Sequence, residues 1–184
     1  MKNKKILVLV GGSGSGKTAI ANKLTGACGF RKVVTTTTRS PRVGERDGID
    51  YHFLSVEEFS KKEKNGGFVE STVYADNMYG TGKDEIDSII AGDTPAVIVM
   101  DSAGARFMKE TYKDDVLVAH IRRERYCVVL SILERDIPNE EKAKRIINLD
   151  SEDRMVSDSS LYDVSEINRD IDATASHLRS LMVV

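Results

Sequence analysis

The stretch ILVLVGGSGSGKT, residues 6–18, decides the fold of this 184-residue chain. Its first five residues are uniformly apolar, as expected of a strand buried on both faces of a parallel sheet. Residues 11–18 match the pattern G-x-x-x-x-G-K-[ST], whose glycines let successive backbone N–H groups turn toward phosphate oxygens. Ile20, Leu24 and Ala27 then recur at helical spacing. This order of strand, loop and helix predicts a phosphate loop that binds a nucleoside polyphosphate.

Each position of this loop is a candidate nucleotide contact. The predicted loop residues are Gly11, Gly12, Ser13, Gly14, Ser15, Gly16, Lys17 and Thr18. We expect Lys17 to lie along the β and γ phosphates of ATP and the Thr18 hydroxyl to coordinate Mg²⁺. The pattern is shared by GTPases, transport ATPases and many kinases, and a glycine-rich turn without a ligand is the plain alternative.

Strands and helices alternate along the rest of the chain. Apolar runs predict strands at residues 96–100, 116–121 and 164–167. Helices are indicated by a capping box at Ser55, by apolar spacing at residues 86–90, and by a final helix with Asp170 as its cap. Residues 35–53 and 68–74 read as short strands and turns, and residues 125–157 as a helical hairpin. The sequence therefore predicts an α/β fold with a parallel sheet flanked by helices.

Composition excludes several classes of protein. The formal net charge is −2, whereas domains whose whole surface binds nucleic acid are strongly basic. The two cysteines have neither metal-ligand nor disulfide spacing, which suits a reducing compartment. No apolar run is long enough to cross a membrane. We expect a cytoplasmic protein with small-molecule substrates and without nucleic-acid or membrane partners.

A second candidate site lies in residues 35–53, TTTTRSPRVGERDGIDYHF. Arg39 and Arg42 could grip a phosphate monoester through paired guanidinium N–H donors. Tyr51 supplies another donor, and Glu45 can hold an arginine in position. The alternative is an arginine-rich turn that is only solvent-exposed surface.

This segment resembles the GMP-binding region of guanylate kinases, whose pattern is close to T-T-R-x-P-R-x-G-E-x-x-G-x-D-Y-x-F. The resemblance continues at residues 67–70 and 79–81, at Asp101 with Gly104, and at Asn168, and it covers most of the chain. It implies a P-loop nucleoside monophosphate kinase fold with an inserted small β region and a helical lid. It also implies ATP-dependent phosphorylation of GMP and dGMP by a monomer or homodimer.

The resemblance also implies how the chain is divided. Residues 1–184 form a single domain, with its core at about 1–34, 82–124 and 160–184. The GMP-binding region covers about 35–81 and the lid about 125–158.

The resemblance assigns roles to individual residues of the acceptor site. It implies that Arg39, Arg42, Tyr51 and Tyr79 bind the GMP phosphate, with Glu45 beside them. Glu70 would read the base, because guanine presents N1–H and its 2-amino group side by side whereas adenine has an acceptor at N1.

Three further side chains complete the implied guanine contacts. Thr35 and Thr81 would donate to O6, and Asp101 would accept from the exocyclic amine. The plain alternatives are that Glu70 is a solvated strand residue and that Asp101 caps a helix.

The resemblance places arginines of the lid over the triphosphate. Arg135 and Arg145 would offset charge on the transferring phosphoryl group and so act with Lys17 and Arg42 as catalytic residues. Either lid arginine could instead be an exposed residue of an amphipathic helix. Asn168 resembles a residue that contacts the adenine of ATP.

The chain departs from the family pattern at three places. Val99 stands where the family often has aspartate, which removes a carboxylate near the magnesium site. Ala103 stands where glutamine often occurs, and residues 122–124 read Arg-Arg-Glu where relatives commonly have Pro-Pro-Ser. These departures bear on rate and lid movement more than on the substrate.

Two other functions compete with this one. Some guanylate kinase-like domains are protein-binding modules with degraded phosphate loops, but the loop here is intact. A P-loop kinase for another phosphorylated small molecule is the second rival. Glu70 argues against a sugar phosphate, which offers no paired N–H donors to a carboxylate.

Overall fold

The computed structural model describes residues 4–74, 76–134, 137–147, 149 and 160–182. The strands are β1 (Ile6–Val10), β2 (Arg31–Lys32), β3 (Thr36–Thr37), β4 (His52–Phe53), β5 (Phe68–Tyr74), β6 (Asn77–Gly82), β7 (Ala96–Val99), β8 (Val116–Arg122) and β9 (Val164–Ile167). The helices are α1 (Lys17–Ala27), α2 (Val56–Lys64), α3 (Lys83–Ala91), α4 (Ser102–Tyr112), α5 (Arg125–Leu133), α6 (Asn139–Ile147) and α7 (Ile171–Met182). A 3₁₀ turn, Lys113–Asp115, joins α4 to β8.

The chain divides into two compact units. Residues 1–31 and 94–184 form one, which we call the phosphate-loop unit, and residues 32–93 form the other, the inserted unit.

The phosphate-loop unit is built on a five-stranded sheet with strand order β2-β7-β1-β8-β9. β1 pairs in parallel with both β7 and β8, and β8 pairs in parallel with β9. β1 is fully buried, as its uniformly apolar sequence predicts. Because the carboxyl ends of parallel strands meet at one edge, the segments that follow β1 and β8 emerge side by side.

A single apolar cluster fills one side of this sheet. It joins strand residues to the buried faces of α1 and α7 through the side chains of Leu7, Leu9, Ile20, Leu24, Phe30, Val97, Leu117, Ala119, Ile121, Ala175, Leu178 and Met182. Burial of these side chains stabilises the sheet and fixes the start of α1 directly after the loop.

The inserted unit contains a four-stranded sheet with strand order β4-β3-β6-β5. β6 runs antiparallel to both β3 and β5. Helix α2 begins with the expected capping box: the Ser55 hydroxyl accepts from the backbone N–H of Glu58 at 3.2 Å, and the Glu58 carboxylate accepts from that of Ser55 at 2.9 Å. Phe59 of α2 stacks on Phe68 of β5 with ring centroids 4.4 Å apart, and this packing ties helix to sheet.

The structure confirms the predicted α/β fold with a parallel sheet flanked by helices. It also confirms the cap of α7, because the Asp170 carboxylate accepts from the backbone N–H of Ala173 at 2.8 Å. Among the described elements, helix α4 and strands β2 and β6 were not predicted. Ala27 is exposed instead of packing with Ile20 and Leu24.

Among the described residues, no helix is both long and apolar enough to cross a bilayer.

Candidate active site

The phosphate loop takes a backbone shape that requires glycine at its two ends. Gly11 has φ 151° and Gly16 has φ 97°, both in the region that L side chains rarely adopt. A Cβ on Gly11 would collide with the backbone oxygen of Ile121, and one on Gly16 with the side-chain amide of Asn168. The loop therefore has no room for side chains at the positions where its backbone turns.

The N-terminus of α1 lies open at the end of this loop. Gly16 is its N-cap, no side chain of the loop or helix caps it, and its first turn contains no acidic residue. By contrast, Ser55 caps α2 and Asp101 caps α4. The uncapped N–H groups and the helix dipole of α1 therefore favour an anion.

Lys17 is anchored to the loop. Its Nζ donates to the carbonyl oxygens of Gly11 at 2.6 Å and Gly12 at 2.7 Å. Lys17 and Thr18 both line a cavity of about 420 Å³ beside the loop. An ammonium group and helix N–H groups thus face one space, which is the arrangement that a polyphosphate requires.

The same cavity suits a hard cation bound together with phosphate. Thr18 is exposed and lines the cavity, so its hydroxyl oxygen is open to an oxygen-seeking ion such as Mg²⁺. In the part of the chain that the structure describes, no group of three or more His, Cys, Asp or Glu side chains could hold a metal. The residues present therefore fit an ion that takes its other ligands from phosphate and water.

Asn168 is buried against the loop. Its Nδ2 donates to the carbonyl oxygen of Ser15 at 2.8 Å, and its Oδ1 accepts from the Thr174 hydroxyl at 3.4 Å. These bonds tie the loop to the segment that precedes α7. The adenine contact implied for Asn168 stays a prediction.

Of the two lid arginines, the structure describes Arg145 and not Arg135, which lies outside the described residues. Arg145 is on α6, where its Nη1 donates to the Ser13 hydroxyl at 3.2 Å and its Nη2 pairs with Glu141 at 2.7 Å. It lines the same 420 Å³ cavity as Lys17. The structure thus brings one predicted lid arginine to the phosphate loop.

In the inserted unit, predicted phosphate ligands cluster around Arg39. Its Nη2 pairs with Glu45 at 2.9 Å, and its guanidinium lies 5.4 Å from the ring centroid of Tyr51. Tyr51 in turn meets Tyr79 edge to face at 6.3 Å. Four residues separated in sequence therefore form one group around a positive charge.

The charges of this cluster support one another. Hydrogen bonding from the backbone N–H of Arg42 and pairing with Arg39 hold the pKa of Glu45 below its ordinary value, against partial burial. Partial burial opposes the charge of Arg39, but bonds to Glu45 and Tyr79 outweigh it and raise the pKa of Arg39. The pair is therefore fully ionised near neutral pH.

Arg42 is held through its backbone and not through its side chain. Its backbone N–H donates to Glu45 Oε2 at 2.8 Å, while its exposed guanidinium makes no hydrogen bond within the described ranges. Thr35 is half-buried, and its carbonyl oxygen accepts from the backbone N–H of His52.

A second polar pair lies on the same sheet. The Thr81 hydroxyl donates to Glu70 Oε1 at 2.7 Å, and the two residues are register partners across β5 and β6. Tyr79 and Thr81 lie two residues apart on β6, so their side chains point to the same face of the sheet. The Arg39 cluster and the Glu70–Thr81 pair consequently share one face of the inserted unit.

Asp101 belongs to the phosphate-loop unit and caps α4. Its Oδ1 accepts from the backbone N–H of Gly104 at 2.8 Å, and the residue is exposed. The helix-cap alternative is thus its observed structural role, and its implied contact with guanine stays a prediction.

Sequence reasoning missed some contacts at the loop. Ser13 was expected only as a loop residue, yet it receives the hydrogen bond of Arg145. Arg123 was noted only as a departure from the family pattern, and it lines the phosphate cavity beside Ser131. The position of Arg123 two residues after the predicted buried strand at 116–121 was the signal that could have placed it there.

The chain resembles known proteins over most of its length. The family model described as guanylate kinase matches residues 3–183. A guanylate kinase from Hydrogenovibrio crunogenus is 33% identical over 182 residues, covering 93% of this chain and 83% of the relative. A guanylate kinase from Salinibacter ruber is 39% identical over 123 residues, which cover 66% of this chain. The match spans 65% of that relative, which is less than two thirds of its length.

A solved structure agrees with these matches. The crystal structure of guanylate kinase from Anaplasma phagocytophilum superposes with a TM-score of 0.68 at 26% identity, covering 99% of this chain and 86% of the other.

Proposed function

Because the chain belongs to the guanylate kinase family, we propose that it transfers the terminal phosphoryl group of ATP to GMP. The observation that carries the proposal is the shared face of the inserted unit, on which a cationic cluster and a carboxylate lie along one sheet. A nucleoside monophosphate presents the same two features, a dianion at one end and a base at the other.

The acceptor phosphate is bound by the Arg39 cluster. Arg39 is already oriented by Glu45 and Tyr51, so little side-chain entropy is lost when it forms charge-assisted hydrogen bonds to the dianion. Arg42 adds a second, exposed guanidinium, and Tyr79 a phenol donor.

The base is read by the Glu70–Thr81 pair. A carboxylate accepts from the N1–H and the 2-amino group of guanine, and the Thr81 hydroxyl, which donates to Glu70, holds that carboxylate in position. Adenine has no N1–H and would leave the carboxylate facing an acceptor, so GMP is preferred over AMP.

The donor triphosphate is bound by the phosphate loop, with Lys17 and Arg145 balancing its charge. A bound Mg²⁺ would supply charge neutralisation of the β and γ phosphates, with Thr18 as its protein ligand. Lys17 and the N–H groups of α1 orient the phosphates and stabilise the charge that develops during transfer.

We also propose three finer features: the use of dGMP, the cellular location, and the domain and oligomeric organisation. The chain accepts dGMP as well as GMP, because none of the residues assigned to the acceptor reads the ribose 2′-hydroxyl. The two cysteines, Cys28 and Cys127, are free, which supports a cytoplasmic location. The chain forms a single domain with the core, GMP-binding region and lid at the residue ranges given above, and it acts as a monomer or a homodimer.

An acceptor profile tests the proposal. ADP release from ATP is followed with GMP, dGMP, AMP, CMP and UMP in one coupled assay. We expect GMP and dGMP to give the highest kcat/KM, with AMP lower by at least about tenfold. Equal rates with all five, or none above the acceptor-free background, would refute it.

A further inference from the structure

We propose that Arg123 is a further donor-binding residue, which contacts the triphosphate of the bound nucleotide from the side of the phosphate loop that faces β8. The identity of the donor as ATP rests on the proposed function. The binding of a polyphosphate beside Arg123 does not depend on it.

The position of Arg123 follows from the sheet. It comes directly after β8, the parallel neighbour of β1, and the phosphate loop comes directly after β1. Both segments therefore leave the sheet at the same edge. Arg123 and Ser13 are shared by two cavities beside the loop, one of about 420 Å³ that contains Lys17 and one of about 470 Å³.

The contacts of Arg123 hold its guanidinium without neutralising it. Its Nη1 donates to the hydroxyl of Ser131 on α5 at 2.6 Å. Within the residues that the structure describes, Arg123 makes this one side-chain hydrogen bond, and no carboxylate forms an ion pair with its guanidinium. A guanidinium has several N–H donors in a planar fork, and a bond to one neutral hydroxyl leaves the others and the full charge available.

The other cations of the cavity differ in this respect. Arg145 is paired with Glu141 at 2.7 Å, so part of its field is cancelled. Lys17 donates to two loop carbonyl oxygens. Arg123 is thus the arginine of this cavity whose charge has no carboxylate partner in the described part of the chain. A half-buried guanidinium of this kind is best satisfied by an anion, and a polyphosphate accepts such donors bidentately.

Calorimetry without an acceptor tests the assignment, with ATP and inorganic tripolyphosphate as the two probes. Arg123→Gln should raise the Kd for both by about tenfold, the cost of one charge-assisted hydrogen bond to phosphate. Arg123→Lys, which keeps the charge and loses the fork, should recover part of that loss. The control Arg179→Gln removes an exposed arginine on α7 that lines neither cavity, and should change both Kd values by less than about twofold.

Ser131→Ala separates contact from positioning. It breaks the same Arg123–Ser131 bond but keeps the charge, so its Kd for tripolyphosphate should rise by less than about threefold. Equal Kd values for Arg123→Gln and the Arg179→Gln control would overturn the assignment. So would an equal loss in Ser131→Ala and Arg123→Gln, since Arg123 would then act only through the packing of α5. If the wild type fails to phosphorylate GMP but Arg123→Gln still weakens tripolyphosphate binding, the proposed function fails and this assignment stands.

Discussion

Glu70→Gln is the substitution that most sharply separates guanine recognition from nucleotide binding in general. The Glu70 carboxylate already accepts the Thr81 hydroxyl at 2.7 Å, so its position on β5 is fixed before any base arrives. Glutamine has the same shape, and its amide oxygen can still accept from Thr81. What is lost is the negative charge and the acceptor at the second oxygen, where an NH₂ group now opposes the N–H donors of guanine.

The size of the effect follows from these contacts. A hydrogen bond to a charged group contributes about 1.5–3 kcal/mol, against about 0.5–1.5 kcal/mol for a neutral one, so the difference is about 1–2 kcal/mol. At about 1.4 kcal/mol per decade, the KM for GMP should rise roughly 5- to 30-fold. The KM for ATP should stay within about twofold, because Glu70 lies in the inserted unit and the phosphate loop in the other.

The assay is the five-acceptor profile on wild type, Glu70→Gln and a matched control, Glu63→Gln. Glu63 is an exposed glutamate of α2 that also accepts from a hydroxyl, that of Ser71. The control should retain both the KM for GMP and the preference over AMP. An unchanged preference in Glu70→Gln would refute base reading by this residue and would favour a kinase for another phosphorylated molecule.

Substitutions of Lys17, Arg39 and Glu45 should each affect a different property of the protein. Lys17→Ala should lower kcat by at least about a hundredfold while calorimetry shows GMP binding within about twofold of wild type; normal turnover would mean that the loop plays no part in transfer. Arg39→Ala should weaken GMP binding roughly 10- to 100-fold and guanosine binding by less than about threefold, because guanosine lacks the dianion; equal losses would point to a folding role. The pKa of Glu45 is held below its ordinary 4.5, first by the backbone N–H of Arg42. Its contribution to stability is therefore present above that value and lost as pH falls through the lower folded-state pKa. Denaturant unfolding should show wild type more stable than Glu45→Gln at pH 7 and the two converging in acid, and a constant difference would contradict this.

Local chemistry was enough to predict most elements of the fold. The run ILVLV before the glycine loop predicted β1, and the Ser55–Glu58 box predicted the start of α2, because these signals involve residues a few positions apart. Helix α4 was missed although Asp101 was recognised as a possible cap, since its buried face, Gly104, Ala105 and Met108, consists mostly of small residues that give a weak apolar signal. Strand β6 was missed because four of the six residues in its sequence, NMYGTG, are glycine, asparagine or threonine, and because it is held by pairing on both sides.

In the candidate site too, features set by neighbouring residues could be predicted from the sequence, and contacts between distant residues could not. The loop residues 11–18 could be assigned from their pattern, since the pattern itself encodes the backbone turns. The pairing of Glu70 with Thr81 depends on cross-strand register. The bond from Asn168 to Ser15 joins residues 153 positions apart. Such long-range contacts are set by tertiary packing, which a single sequence does not display.

The central claim is that this chain moves a phosphoryl group from ATP to GMP. Incubation with ATP labelled in its γ-phosphorus, GMP and Mg²⁺, followed by chromatographic separation of the nucleotides, tests that claim most directly. We predict that the label appears in GDP, in an amount equal to the ADP formed, and that none appears when GMP is left out. Label recovered as inorganic phosphate, or retained in ATP while GMP is present in excess, would contradict it.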